Sequence, residues 1–254
     1  VAGLPIARRM RWGASREEFV RPVHWVVAML GQDCDHGKIF NLSTGNTTRG
    51  HRFHGSGLIT LNHAEDYESA LAKANVIASF EQRQQIIREQ VEAQALALGA
   101  NAVIATDLLD EVTGLVEWPV ALTGSFEERY LQVPPEALIS SMKEHQKYFH
   151  LVDSKGELLP HFITVANIES SDPQQVIAGN ERVIRPRLSD AAFFFETDKK
   201  IPLADRVASL SNIVFQQKLG TLLDKTVRIS QLAALLAPDV GASVAFAQRA
   251  AELS

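Results

Sequence analysis

The feature that most constrains this fold is a change of hydrophobic period near residue 170. Before it, short apolar runs of strand character alternate with helical stretches; after it, apolar residues recur every three or four positions. Asp172 followed by Pro173 reads as an N-cap with proline at the first helical position. The expected fold class is α+β: a mixed α/β domain over residues 1–170 with a largely antiparallel sheet, then a helical region over 171–254 without a convincing strand. The boundary is expected between residues 168 and 200, without a flexible linker.

Residues 23–30 (VHWVVAML) read as a buried strand and 38–42 as another, with weaker candidates at 52–53 and 58–61 about a turn at 55–57. Helices are expected over 66–74, 81–98 (stopped by Gly99), 107–116 (closed by Trp118-Pro119) and from Pro134-Pro135 to about Lys143. A strand is expected at 120–122. Residues 148–152 and 162–166 should flank a hairpin turned by Asp153-Ser154-Lys155-Gly156. Further on, 203–215, 222–236 and 244–253 carry helical periodicity.

With 46% hydrophobic and 22% charged residues the 254-residue chain has no signature of disorder. A net charge of −5 argues against a generally basic nucleic-acid coat but leaves room for a local patch. One cysteine, Cys34, can form neither an internal disulfide nor a thiolate zinc site, which fits a reducing cytoplasm. No apolar run reaches membrane-helix length, and the opening VAGLPIARRM lacks the long apolar core of a signal peptide. The missing initiator Met and a helical pattern continuing to the last residue are what an internal piece of a longer chain would show.

Catalytic signatures are few. Gly31 with Gly37-Lys38 misses the phosphate-loop spacing, and Ile39 stands where a hydroxyl is required. Gly55-Ser56-Gly57 lacks the third glycine of a dinucleotide turn, and neither G-x-S-x-G nor H-E-x-x-H occurs. His51 and His54, on a strand, would point to opposite faces and could not share a metal ion; on a turn they could, but no nearby carboxylate has an evident role as third ligand. No catalytic residue and no metal ligand is expected.

The basic residues form three clusters: Arg49, His51, Arg52 and His54; Lys143, His145 and Lys147; and Arg182, Arg185 and Arg187 around Pro186. Guanidinium forks suit phosphate, so RNA contact is one reading. The other is an internal clamp, in which Arg185 or Arg187 pairs with Asp190 or Glu196 at a junction bent by Pro186. Solvent-facing arginines on one concave surface would favour RNA, and arginines bonded to carboxylates the structural reading. Phe193-Phe194-Phe195 reads as core packing more than base stacking.

Several strings carry a resemblance: MRWG (10–13), FVRPVHW (19–25), GHRFHG (50–55), LVEWPVALTGSFEERYLQVPPEAL (115–138), MKEHQKYF (142–149), VANIES (165–170), DPQQVI (172–177), GNERVIRPRLSDAAFFFETD (179–198) and FQQKLGTLLDKTVRI (215–229). In order and over nearly the whole chain, they resemble the β subunit of the bacterial two-subunit glycyl-tRNA synthetase. The resemblance implies a domain like the B3/B4 region of phenylalanyl-tRNA synthetase over 1–170 and the start of an HD-like helical domain over 171–254. It implies an assembly of two α and two β subunits in the cytoplasm. There the α subunit activates glycine with ATP and magnesium, and the β subunit binds tRNA(Gly). An active HD phosphohydrolase needs a His-Asp dipeptide, which this sequence lacks, so the piece itself is expected to be non-catalytic and without a cofactor. Arg49, His51, Arg52, His54, Lys143 and Lys147 are the expected RNA contacts; Arg182, Arg185, Arg187 and Asp190 are the expected structural junction.

Overall fold

A computed structural model describes residues 3–55 and 57–254; the expected turn at 55–57 includes Ser56, outside the described residues. Contacts divide the chain into two units, Val1–Leu188 and Ser189–Ser254. The class is α+β.

The first unit opens with short strands. β1 (Met10–Arg11) pairs antiparallel with β2 (Glu18–Phe19). β3 (Val26–Val27) lies parallel to β7 (Leu42–Gly45), which also pairs antiparallel with β6 (Lys38–Ile39). β4 (Met29–Leu30) and β5 (Asp33–Cys34) form a two-stranded ribbon, as do β8 (Thr47–Arg49) and β9 (Leu58–Thr60). The continuous buried strand expected over 23–30 is therefore two short ones, and Leu30 is 84% exposed. A wholly apolar run carries no period to locate its breaks. Residues 52–53 form a turn instead of a strand.

After α1 (Tyr67–Ala72) comes α2 (Phe80–Ala97). Local sequence sets both ends of α2. The Ser79 side chain accepts a hydrogen bond from the Gln82 amide. At the other end Gly99, at φ 65°, donates to the Leu96 oxygen while Ala100 donates to the Ala95 oxygen, the Schellman pattern. Ile87, Val91 and Ala95, four apart on one face, are fully buried.

That face covers a four-stranded antiparallel sheet in the order β10 (Asn101–Ala102), β12 (Phe149–Val152), β13 (Leu158–Ala166), β11 (Val120–Ser125). α3 (Thr106–Leu115) adds Leu108, Leu109 and Val112 to the same core, which includes Phe149, Leu151 and Ile163. Each such side chain contributes about 1.5–3 kcal/mol by leaving water. The β12–β13 turn is the expected hairpin, its Asp153 Oδ1 accepting from the amides of Lys155 and Glu157. α4 (Pro135–Ser140) leads into a π-helical turn, Ser141–Gln146, ended by Lys147 at φ 60°.

α5 (Pro173–Asp198) runs unbroken through Pro186, where a junction bend was expected. Proline there removes one helical hydrogen bond, at a cost of about 3 kcal/mol. Ile184 and Leu188, both fully buried, offset it at about 1.5–3 kcal/mol each.

In the second unit the helix expected over 203–215 is α6 (Leu203–Arg206) followed by a 3₁₀ segment, Val207–Asn212. A hairpin then joins β14 (Val214–Gln216) to β15 (Gly220–Thr221), so strand is present after residue 170. α7 (Leu222–Leu236) starts at a capping box in which the Thr221 and Asp224 side chains each bond the other's backbone amide. α7 and α8 (Val244–Leu253) fill their expected ranges and pack together. Phe193 and Phe194 are 63% and 62% exposed and meet edge to face, contrary to the expected core packing.

Candidate nucleic-acid interface

The 50–55 turn is built around a buried histidine. The ring of His51, 2% exposed, accepts at Nδ1 from the amides of Phe53 and His54, each at 3.2 Å. With Nδ1 an acceptor, Nε2 carries the proton and donates to the Asn167 backbone oxygen at 2.7 Å. The Asn167 side chain in turn accepts from the amides of Glu117 (2.7 Å) and Trp118 (2.9 Å). One asparagine thus ties the histidine turn to the entrance of β11.

The turn closes tightly because it has glycine at each end. A Cβ on Gly50 would lie 2.4 Å from the Ala74 Cβ, and one on Gly55 would lie 2.6 Å from the His51 oxygen. His54 stacks on His51 with centroids 4.8 Å apart, and its Nε2 accepts from the Glu169 amide at 3.2 Å. His51 and His54 thus share one side of a turn, where a strand would have separated them. Both have other bonding partners. Among the described residues no three or more His, Cys, Asp or Glu side chains gather as a metal site.

This latch leaves the turn's other side chains outward. Arg49, Arg52 and Phe53 are exposed, Phe53 by 73%. The Arg52 guanidinium sits 5.9 Å from the Phe53 ring centroid, and Arg49 makes no side-chain ion pair among the described residues. Available guanidinium and an open aromatic face are what phosphate and an unstacked base require.

The lysine cluster is arranged differently. Lys143 Nζ lies 2.7 Å from Asp107 Oδ2 and Lys147 Nζ 2.9 Å from Glu111 Oε2, two parallel rungs between the π-helical turn and α3. The hydrogen bond from Lys143 holds the Asp107 carboxyl below the usual carboxylate range, and the same bond raises Lys143. Burial, with Lys143 adding to it, lowers the nearby His150. Both lysines have carboxylate partners; among the described residues Arg49 and Arg52 have none.

Of the three arginines expected at the junction, Arg185 alone clamps within the first unit among the described residues, and to a different acid from those expected. Arg185 Nε donates to Glu127 Oε1 at 2.8 Å, whereas Glu196 bonds Lys199. Asn180 Oδ1 accepts from the Tyr148 hydroxyl at 2.7 Å, and Glu181 Oε1 accepts from the amide and hydroxyl of Ser125. Asn180, Glu181 and Arg185 thus anchor α5 to the sheet domain. Arg182, Arg187 and Asp190 are exposed.

The distribution of charge along the sequence also marks this segment. Residues 1–60 carry eight Lys/Arg against four Asp/Glu, while residues 61–254 carry seventeen against twenty-six. The acidic total conceals a basic segment that contains the histidine turn.

These features describe an α+β chain with an exposed basic and aromatic turn, and comparison with known proteins gives its family. Residues 1–254 match the family model described as glycyl-tRNA synthetase beta subunit. Curated relatives named glycine–tRNA ligase beta subunit include those of Chromohalobacter salexigens (58% identical over all of this chain), Hahella chejuensis (57%, all of it) and Acinetobacter baylyi (57%, 99% of it). The chain belongs to the glycyl-tRNA synthetase beta subunit family. It spans 37% of the length of the first two relatives and 36% of the third. Among the described residues no helix is long and apolar enough to cross a membrane.

Proposed function

We propose that this chain is the part of a glycine–tRNA ligase β subunit that helps hold tRNA(Gly), with the outer surface of the 49–54 turn as its RNA contact. The observation that carries the reading is the pairing of unbridged Arg49 and Arg52 with exposed Phe53 on a backbone locked by His51. A rigid turn presents these groups at little ordering cost when RNA binds.

In this reading the chain itself is non-catalytic and acts in the cytoplasm within an assembly of two α and two β subunits. Glycine activation, with ATP and magnesium, belongs to the α subunit, and we assign no residue of this chain to them. Residues 1–170 correspond to a B3/B4-like domain and residues 171–254 to the opening of an HD-like domain; the resemblance of the sequence strings supports both assignments. A structural role is the better reading for Lys143, Lys147 and Arg185, whose charges face Asp107, Glu111 and Glu127.

A photo-crosslinking residue at position 53 of the full-length β subunit, assembled with α, tests the contact. An RNA adduct from position 53, and none from exposed position 155 in the β12–β13 turn, is expected. Equal adducts at both positions, or none at 53, would exclude the turn.

A further inference from the structure

Next to the basic N-terminal strands lies a cavity of about 560 Å³, lined by aromatic and aliphatic side chains including Phe19, Trp25, Phe40 and Tyr67. Its volume is within the usual range for small-ligand sites. A second cleft of about 400 Å³ shares Phe19, Ile39 and Phe40 with it and is lined by Arg9, Arg16 and Lys38. Two acids line this cleft: Glu18 is bonded to Arg11, and Glu17 accepts from the Asn41 side chain. Arg16 and Lys38 make no ion pair among the described residues. An apolar aromatic chamber therefore shares a wall with a cationic cleft.

That shared wall is held at a conformational cost. Phe40 and Asn41 turn the β6–β7 hairpin with φ of 54° and 61°. Asparagine tolerates this region, but phenylalanine rarely occupies it and glycine would relieve it. The ring of Phe40 is fixed against Phe19 (centroids 5.0 Å apart) and Trp12 (5.8 Å). A strained aromatic that persists where two cavities meet points to a use for its ring.

We propose that this pair of cavities takes an unpaired nucleotide of RNA, its base among Phe40, Trp25 and Tyr67 and its phosphates at Arg16 and Lys38. Aromatic walls offer sequence-tolerant stacking, and adjacent cations favour a nucleotide over an apolar peptide segment. The proposal rests on the reading of the chain as an RNA-holding piece and adds a second contact to it.

The test uses the full-length β subunit with its α subunit and a fluorescein-labelled single-stranded RNA tetranucleotide, with a blunt RNA duplex and AMP as comparisons. Phe40→Gly removes the ring while relieving the backbone, so its thermal midpoint should stay near that of the parent. Its affinity for the tetranucleotide should fall about tenfold, as loss of one stacked base does. Arg16→Glu with Lys38→Glu, both at the cleft, should do the same without depending on the hairpin. Duplex affinity should change less than twofold, and AMP should compete only weakly. Unchanged tetranucleotide affinity in both variants overturns the proposal, as does AMP binding as tightly as the RNA. Arg52→Glu measured against whole tRNA(Gly) separates the two readings. If it weakens tRNA binding while the cavity variants do nothing, the cavity assignment alone fails. If neither set changes binding, both fail.

Discussion

The Nε2 of His51 donates to the backbone oxygen of Asn167 across 2.7 Å, joining positions 116 residues apart in sequence. This bond makes the GHRFHG string a structural latch with an exposed outer side. Replacing His51 with Ala removes it and leaves the Asn167 oxygen and two backbone amides without their partner. Such a loss costs about 2–3 kcal/mol. Urea unfolding should show a lower midpoint with an unchanged slope, whereas Arg52→Ala, at the exposed tip, should stay within about 0.5 kcal/mol of the parent. An His51→Ala variant as stable as the parent would contradict the latch.

Tyr148 gives a pH signature. Burial pushes its hydroxyl up to about 12, and its ring stacks on Phe162 at 4.4 Å. The folded value lies above the unfolded one, so this contribution is full below about pH 10 and is lost as pH rises toward 12. Unfolding free energy should fall through that window, and Tyr148→Phe should flatten the fall while losing the bond to Asn180. Equal alkaline slopes in the two proteins would place the effect elsewhere.

The Asp107–Lys143 rung has a broad pH range. Asp107 is depressed, so its contribution is present above its unfolded value near 3.9 and is lost as pH falls through the lower folded value. Lys143 is raised, so its contribution is present below about 10.4 and is lost as pH climbs through the higher folded value. Asp107→Asn should therefore lower the thermal midpoint modestly between those limits and converge with the parent in acid. Exchanging the charges, Asp107→Lys with Lys143→Asp, should recover most of the difference. A midpoint that Asp107→Asn leaves unchanged at neutral pH would show the rung to be idle.

Legibility in the sequence followed how local each cause is. The serine cap and Gly99 stop of α2, the Asp153–Gly156 turn and the α7 and α8 ranges are set by neighbours in the chain. Pro186 stays helical because Ile184 and Leu188 are buried on the same helix, which no local rule reveals. The β14–β15 hairpin was hidden by helical spacing, although Gly220, at φ 83°, opens β15 directly after the turn. Among site residues, composition pointed to His51 and Arg52 together. Only the fold separates them: Asn167 takes His51 inward, and Gly50 and Gly55 let the chain close around it. The lysines looked equally available until Asp107 and Glu111 were placed beside them.

The central claim, that RNA is met by the arginines of the turn and not by the bridged lysines, is tested most directly by the salt dependence of tRNA(Gly) binding to the assembled enzyme. Each lost phosphate contact lowers the magnitude of the log–log slope by about one. Arg49→Gln with Arg52→Gln should reduce the slope by about two, while Lys143→Gln with Lys147→Gln should leave it unchanged. A slope insensitive to the arginine pair, or reduced equally by the lysine pair, would contradict the account.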